Sequence, residues 1–192
     1  MDGKIRCWDG PRIFIDYHDN EWGRPEHDEV KLFEMLTLES MQSGLSWITV
    51  LKKRDAFREA FDGFDPIKVA FYDEFKKQEL MKNEGIIRNR MKIDAAVNNA
   101  GALLNIADEF GSFDKFIWSY VDYKPIIGED WPSKTELSTR ISKDLKKRGF
   151  KFVGPTTVYS FMQAVGITND HMRDCFVFHE LTGKKGKEEE RC

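Results

Sequence analysis

The stretch STRISKDLKKRGFKFVGPTTVYSFMQAV, residues 138–165, predicts two helices that are joined by a short hairpin. Residues 138–148 form a basic amphipathic pattern, and apolar residues recur at helical spacing over residues 156–165. The connection GFKFVGP carries glycine at its start, and glycine and proline at its end, which favours a tight turn. We therefore expect a helix-hairpin-helix unit over about residues 138–165.

The chemistry of this hairpin points to an anionic ligand. The N–H groups of such a turn, together with those that begin the following helix, suit a DNA phosphate. Lys143, Lys147 and Lys151 add positive charge on the approach to the turn. An ordinary corner between two helices, with solvated lysines, would give the same local pattern. Both interpretations stay open at this point.

Helical periodicity also dominates the rest of the chain. The strongest predicted helix covers residues 87–106, and an amphipathic run over 32–38 breaks near Gly44 and resumes at Trp47. No alternating strand pattern is longer than about four residues. The fold class predicted from these patterns is all-α.

Composition limits the kind of protein that this chain can be. Hydrophobic residues make up 41% of the 192 residues, which is enough for a core and excludes a disordered chain. The net charge of −3 argues against a protein that coats nucleic acid by bulk charge, so any basic face must be local. We expect one domain over residues 1–182 and a flexible charged tail over 183–192.

Sequence features also bear on the compartment. No apolar run approaches the ~18 residues of a membrane span, and the first residues lack the apolar core of a secretory signal. The three cysteines are odd in number and widely spaced, which favours reduced thiols or metal ligands over disulfides. These features predict a soluble, cytoplasmic protein that has no membrane partner.

An acidic residue and an aromatic residue flank the predicted break between helices. Glu39 precedes Gly44, and Trp47 follows it. A carboxylate beside an aromatic face can recognise a flat, cationic or electron-poor ring, because the carboxylate accepts hydrogen bonds while the aromatic ring stacks. A surface glutamate and a core tryptophan would be the plain alternative.

Cysteine and histidine residues lie near both ends of the chain. His171 and Cys175 are four residues apart, which would place them on one face of a helix. With Cys7 and His18 they could hold zinc tetrahedrally, and no ligand position would then be open for catalysis. The spacing is unlike that of a compact zinc finger, and His18 could instead act as an acid or base or cap a helix.

Four blocks of the sequence resemble the DNA-3-methyladenine glycosylase I family, which belongs to the helix-hairpin-helix DNA glycosylases. They are YHDNEWG at 17–23, QSGLSWITVLKKR at 42–54, GIIRNR at 85–90 and LKKRGFKFVG at 145–154. The likeness extends from about Cys7 to Cys175. It implies two packed helical lobes with a base pocket between them, and chain termini joined by a structural zinc site.

This resemblance implies a DNA repair enzyme. Such an enzyme flips 3-methyladenine out of alkylated double-stranded DNA and hydrolyses its N-glycosidic bond, which leaves an abasic site. The expected enzyme is a monomer without lyase activity. A non-catalytic, zinc-stapled module that binds alkylated DNA is the alternative, although an intact set of pocket residues speaks against it.

The resemblance also assigns roles to individual residues. Glu39 would be the catalytic pocket carboxylate that contacts the adenine edge. The residues expected to bind the base are Tyr17, Trp22, Trp47, Phe14 and Trp8. The residues expected to contact DNA are Gln42, Gly44, Leu45, Lys151, Val153 and Gly154. The zinc ligands would be Cys7, His18, His171 and Cys175. Phe14 stands where the family often has a tyrosine, and the interval from Cys7 to His18 is shorter than the family's.

The chemistry implied by this family needs no strong general acid. Methylation at N3 makes the adenine cationic, so the base departs as a neutral molecule and the bond to the sugar is already weak. Trp47 would supply stacking, and Glu39 would supply hydrogen bonding and a favourable field. Asn169 takes the position where many helix-hairpin-helix glycosylases carry a catalytic aspartate, and Asp170 is displaced by one residue. Slow or absent excision of neutral bases is therefore expected.

Overall fold

Helices form almost all of the regular structure in the computed structural model, which describes residues 3–128 and 131–183. The α-helices within these ranges are α1 (Arg12–Asn20), α2 (Glu29–Gln42), α3 (Trp47–Leu51), α4 (Arg54–Ala60), α5 (Pro66–Ala70), α6 (Glu74–Lys82), α7 (Arg90–Phe110), α8 (Phe113–Trp118), α9 (Glu136–Lys147), α10 (Pro155–Ala164) and α11 (Phe176–Thr182). Short 3-10 helices cover Asp62–Phe64 and Ser119–Val121.

The fold is mostly helical, as predicted, but it is not purely so. The two-residue strands β1 (Ile126–Ile127) and β2 (Thr168–Asn169) form one parallel pair. Strands this short leave no alternating pattern in the sequence. Of the expected tail, 183–192, only Gly183 lies within the described residues, where it ends α11 in the left-handed conformation.

The predicted helix-hairpin-helix unit is formed by α9 and α10, which pack against each other. Thr135 forms a capping box with Ser138, so α9 begins earlier than the sequence pattern suggested. Gly149, with a φ of +90°, takes the left-handed conformation just after the helix end. Pro155 occupies the first turn of α10, where its missing N–H costs no helical hydrogen bond.

The helix α2 is enclosed by other elements. Ten of its fourteen residues are buried, so it buries more than one face. It packs against α3, α7, α8 and α10. Leu32, Leu38 and Met41 are fully buried along its length. A polar residue in the later turns of α2 is therefore placed inside the protein.

The longest described helix, α7, differs at both ends from its predicted span of 87–106. Asn89 accepts a hydrogen bond from the backbone N–H of Lys92, which caps the helix after this residue. Gly111, with a φ of +87°, ends it. Within the described ranges, no helix has both the length and the apolar character that crossing a membrane requires.

The helices that the sequence patterns did not predict include α1, α6 and α11. Leu80 is the one buried residue of α6, so this helix offers almost no apolar periodicity. The residues that α1 buries are Tyr17 and His18, whose chemistry suggests a site more readily than a helix face. Short helices of this kind depend on tertiary packing, which a single sequence does not display.

A glycine allows the segment after α10 to lie directly against the N-terminal part of the chain. Gly166 has a φ of +73°, and an added Cβ would lie 2.3 Å from the backbone carbonyl carbon of Arg24. Further along, the N–H of Phe176 donates to the carbonyl oxygen of Ile5 at 3.0 Å. The first residues of the described chain are thus held against its last turns.

We expect Gly166→Ala to destabilise the fold, because it adds backbone strain to a clash with main-chain atoms. A loss of roughly 2 kcal/mol would lower the Tm by at least about 4 °C. Gly101→Ala is the matched control: it lies inside α7, and no atom lies within 4 Å of the added Cβ. That variant is expected to gain roughly 0.5–1 kcal/mol. Thermal unfolding measures both, and equal Tm values would contradict the close approach at Gly166.

Candidate active site

A cavity of about 210 Å³ lies between α1, α2, α3 and α10. Its volume equals that of about seven water molecules, which suits one small ring system. Six of its ten lining residues are aromatic. The lining residues are Trp8, Phe14, Tyr17, Trp22, Glu39, Gln42, Trp47, Trp131, Ser160 and Gln163. A larger groove of about 640 Å³ along α9 has a charged and hydroxyl lining without an aromatic wall.

The aromatic walls of the cavity contain every residue that was expected to bind a base. Trp8 is the centre of this group: its ring stacks on Phe14 at 5.2 Å and meets the edge of Trp22 at 4.7 Å. On the other side, the rings of Tyr17 and Trp47 lie 5.4 Å apart. Such contacts fix the rings relative to one another, so these aromatic walls are already formed without a ligand. Phe14 contributes ring surface and no hydroxyl.

Glu39 is a buried acid whose hydrogen bonding is incomplete. Its Oε2 atom has no partner among the described residues, and burial raises the pKa of its carboxyl to about 8. The indole N–H groups of Trp8 and Trp47 are also buried without an acceptor in this part of the chain. Buried polar groups without partners are costly, so their concentration around one cavity indicates a ligand that supplies the partners.

A buried lysine holds the end of α2 that follows Glu39. The Lys92 Nζ atom donates to the carbonyl oxygens of Met41 at 2.7 Å and Ser43 at 2.9 Å, and burial lowers its pKa. A cation is stabilising at a helix C-terminus because the last carbonyl groups lack helical partners. The turn beyond it contains Gly44, with a φ of +83°, and Leu45, which is 42% exposed. An exposed turn therefore follows directly after a helix end that Lys92 holds in place.

Two asparagines of α7 form hydrogen bonds with the backbone of the hairpin. Asn99 accepts a hydrogen bond from the N–H of Lys151 at 2.8 Å and donates to its carbonyl oxygen at 2.9 Å. Asn98 donates to the carbonyl oxygen of Gly149 at 2.8 Å. Because the N–H of Lys151 is occupied, only the exposed side chain of this residue is available to an anion.

The next part of the hairpin keeps its N–H groups free. Within the described ranges, no acceptor contacts the N–H of Phe152, Val153 or Gly154. Val153 is fully buried, main chain included, and its carbonyl oxygen accepts from Ser142 at 2.6 Å. The contact with DNA expected at this residue therefore has no exposed surface, and the N–H groups open to a ligand are those of Phe152 and Gly154. Phe152, which the sequence interpretation did not single out, has a φ of +56° and is partly exposed.

A cluster of cysteine and histidine residues joins the N-terminal and C-terminal segments. The potential ligand atoms of its members lie within 4.8 Å of one another, and the members are Cys7, His18, His171 and Cys175. The Sγ atom of Cys7 lies 3.3 Å from Nδ1 of His171, and that of Cys175 lies 3.5 Å from Nε2 of His18. A tetrahedral zinc site with ordinary bond lengths has sulfur to nitrogen edges of about 3.6 Å. The donor set and spacing therefore fit a tetrahedral metal.

His171 and Cys175 reach this cluster from a loop. The expectation that they share a helical face is wrong, because His171 follows β2 and Cys175 only caps the start of α11. The Nε2 atom of His171 donates to the carbonyl oxygen of Trp22 at 2.9 Å, and Nδ1 of His18 bonds Asp19 at 2.8 Å. Such bonds orient the rings and leave the other nitrogen for a metal. The contact with Trp22 connects the cluster to the cavity wall.

Comparison with characterised sequences identifies relatives along nearly the whole chain. The family model for methyladenine glycosylase matches residues 8–179. The DNA-3-methyladenine glycosylase of Haemophilus influenzae is 51% identical over 177 residues, which cover 88% of this chain and 96% of the relative. DNA-3-methyladenine glycosylase 1 of Escherichia coli is 51% identical over 168 residues, which cover 85% and 90%.

Solved structures show the same likeness. A crystal structure of 3-methyladenine DNA glycosylase I matches with a TM-score of 0.86 and 51% identity, and covers 90% of this chain and 98% of its own. A structure that addresses 3-methyladenine recognition by the Staphylococcus aureus enzyme matches with a TM-score of 0.85 and 43% identity, and covers 88% and 92%. Another match is a tyrosine-to-phenylalanine variant in complex with 3-methyladenine.

These matches show the class of protein: the mostly helical fold is that of a DNA glycosylase, a hydrolase of N-glycosidic bonds. The chain belongs to the methyladenine glycosylase family, and the prediction made from its sequence blocks is confirmed. The sequence interpretation missed three lining residues of the cavity, Trp131, Ser160 and Gln163. For the last two a signal was present, because both are polar and their spacing of three residues places them on one face of α10.

The raised pKa of Glu39 makes stability depend on pH. The carboxyl titrates near 4.5 when unfolded and near 8 when folded, so between these values the folded state keeps a proton that the unfolded state has lost. The free energy of unfolding should therefore fall as the pH rises through this window.

Glu39→Gln removes this titration, so its Tm should exceed that of the wild type by several degrees at pH 9 and match it near pH 4.5. The measurement is thermal unfolding across this pH range. Glu59→Gln, the same change at an exposed position of α4, serves as control and should follow the wild-type curve throughout. Superimposable curves for all three proteins would show that Glu39 is not a perturbed acid.

Proposed function

We propose that this protein excises 3-methyladenine from alkylated double-stranded DNA and that the cavity around Glu39 holds the flipped base. The observation that carries the proposal is a buried carboxyl with an unpaired oxygen in an aromatic cavity. Curated relatives at 51% identity are named for the same activity. The glycosylase domain expected from the sequence would extend over residues 1–182.

The cavity suits a cationic base for electrostatic reasons. N3-methylated adenine carries a positive charge while it is attached to the sugar. The faces of Tyr17 and Trp47 attract such a ring, and the attraction is larger where water is excluded. A cation beside Glu39 favours the ionised carboxylate, which opposes the effect of burial on its pKa. The site is therefore costly when empty and is relieved by the charged lesion, which favours the lesion over neutral adenine.

Bond cleavage then needs little from the protein beyond binding and a favourable field. The electrons of the bond between the sugar and the base pass to the ring, which leaves as neutral 3-methyladenine. Positive charge develops on the sugar, and the negative charge of Glu39 stabilises it. Water adds to the sugar carbon and gives its proton to solvent. The ten lining residues include no lysine, which supports a monofunctional enzyme without lyase activity.

The hairpin and the turn after α2 supply the contacts to DNA. The free N–H groups of Phe152 and Gly154 and the start of α10 suit a phosphate, and the Lys151 side chain adds charge. Gln42 and Leu45 fill the space that the flipped base leaves in the duplex. Because these contacts neutralise phosphates, binding weakens as salt rises.

The cysteine and histidine cluster holds a structural zinc ion. The four ligands complete a tetrahedral shell, so no position is open for a reacting water. The hydrogen bond from the Cys7 thiol lowers the pKa of Cys175 and favours the thiolate that binds metal. The His18 ring lies 4.7 Å from that of Trp8, so the ion stabilises one wall of the base cavity.

The activity is tested by incubating the protein with methylated duplex DNA and identifying the released bases by chromatography. Free 3-methyladenine is expected, and Glu39→Gln should reduce its release at least about 100-fold, since the charge that stabilises the transition state is lost. Glu59→Gln should match the wild type. Tight binding to methylated DNA without release of a base would instead identify a damage-binding module.

The metal is tested by elemental analysis and unfolding of the purified protein. One zinc per chain is expected, and removal by a chelator should lower the Tm by more than about 10 °C. Cys175→Ser should behave like the stripped protein, whereas Cys192→Ser, which changes a cysteine that is not one of the four proposed ligands, should keep its zinc. A protein that contains no zinc and does not respond to the chelator would contradict the proposal.

A further inference from the structure

Asp170 is a buried carboxylate beside the base cavity, and three side chains donate to it. It is 2% exposed and directly follows β2. The Oδ2 atom accepts from the hydroxyl of Tyr159 at 2.5 Å and from Nε2 of Gln163 at 2.6 Å. The Oδ1 atom accepts from the hydroxyl of Thr168 at 3.1 Å. A carboxylate that satisfies so many donors fixes their orientations.

These bonds determine what Gln163 can offer to a ligand. A carboxylate only accepts hydrogen bonds, so the amide of Gln163 must turn its nitrogen toward Asp170. The amide is planar, so its carbonyl oxygen points away from Asp170. No donor within the described ranges binds that oxygen. Because Gln163 lines the cavity, its available polar atom is a hydrogen-bond acceptor.

The main chain of Asp170 supports a second wall of the cavity. Its carbonyl oxygen accepts from the indole N–H of Trp131 at 2.7 Å, and the ring of Trp131 lies against Trp8 and Trp22. Gly128 leaves the space for the carboxylate, since a Cβ there would overlap the Oδ1 atom of Asp170. One buried residue thus orients two side chains that line the cavity.

We propose that Gln163 is a specificity-determining residue, whose carbonyl oxygen accepts a hydrogen bond from the exocyclic amino group of the base, and that Asp170 is the positioning residue that holds it there. An amino group has two N–H bonds, which two acceptors, Glu39 and Gln163, can both satisfy. A base with an oxygen at the same ring position meets two acceptors and gains neither bond. The arrangement selects a 6-aminopurine over a 6-oxopurine. This inference rests on the proposed function.

The test compares two lesions in the same methylated DNA. Gln163→Leu removes the acceptor, so the ratio of the release rates of 3-methyladenine and 3-methylguanine should fall at least about tenfold. The fall should come from slower release of 3-methyladenine. Tyr159→Phe is the matched control, because it removes another donor from the same oxygen of Asp170 and Tyr159 does not line the cavity. Its ratio should stay that of the wild type.

The positioning role is tested by a double-mutant cycle. The amide nitrogen that Asp170→Asn introduces can donate to the carbonyl oxygen of Gln163 and so reverse the orientation of the Gln163 amide. The ratio of 3-methyladenine to 3-methylguanine release should therefore fall as it does in Gln163→Leu. The combined variant should be no worse than Gln163→Leu alone, because both changes act through one group. Thermal unfolding shows which variants fold, and Gln163→Leu by itself still tests the acceptor if Asp170→Asn does not.

Three outcomes would overturn the inference: an unchanged ratio in Gln163→Leu, the same fall in Tyr159→Phe, or additive losses in the combined variant. The third would leave Gln163 as an acceptor and remove the role of Asp170. The wild-type protein separates this inference from the function on which it rests. If the wild type releases no methylated purine, the proposed function fails. If it releases both bases and the variants keep its ratio, only the inference fails.

Discussion

Burial of α2 is the constraint on which the rest of the site depends. A helix enclosed by α3, α7, α8 and α10 carries any polar side chain of its later turns into the interior. Glu39 is such a residue, and the protein gives its Oε2 atom no partner within the described chain. A buried polar atom without a partner lowers the stability of the fold, and packed cores normally avoid it. Such unpaired buried groups concentrate at functional sites. In the proposed function, stability is given up at the position where the charged base would restore the missing interaction.

The second wall of the cavity depends on a contact between distant parts of the chain. The segment between α1 and α2 meets the segment after α10 where Gly166 lets the two main chains lie together. The cysteine and histidine cluster lies on the same contact, and His171 binds the backbone of Trp22, which lines the cavity. Loop closure over so many residues has a large entropic cost. Interactions that join the two segments therefore stabilise the fold and shape the site together.

Sequence alone predicted the parts of this protein that repeat a local pattern. The pairing of α9 and α10 follows from helical periodicity and from Gly149, and Glu39 and Trp47 stand out because they flank a break between helices. By contrast, α6 buries little and leaves no pattern to detect. Trp131 and Gln163 both bind Asp170 beside the cavity, and no local sequence pattern indicates that contact. Asn99 likewise occupies the N–H of Lys151 from a helix 52 residues away.

The hairpin and the cavity share a rigid connection. The hydroxyl of Ser40, the residue after Glu39, shares its hydrogen between the carbonyl oxygens of Leu36 at 2.9 Å and Phe152 at 3.3 Å. Asn99 of α7 binds the backbone of Lys151, the residue next to Phe152. If the hairpin holds a phosphate and the cavity a flipped base, as proposed, these bonds set the distance between the two along the DNA strand. The phosphate held at the hairpin would then determine which nucleotide can reach the cavity, so inspection of a new base would require release of that phosphate.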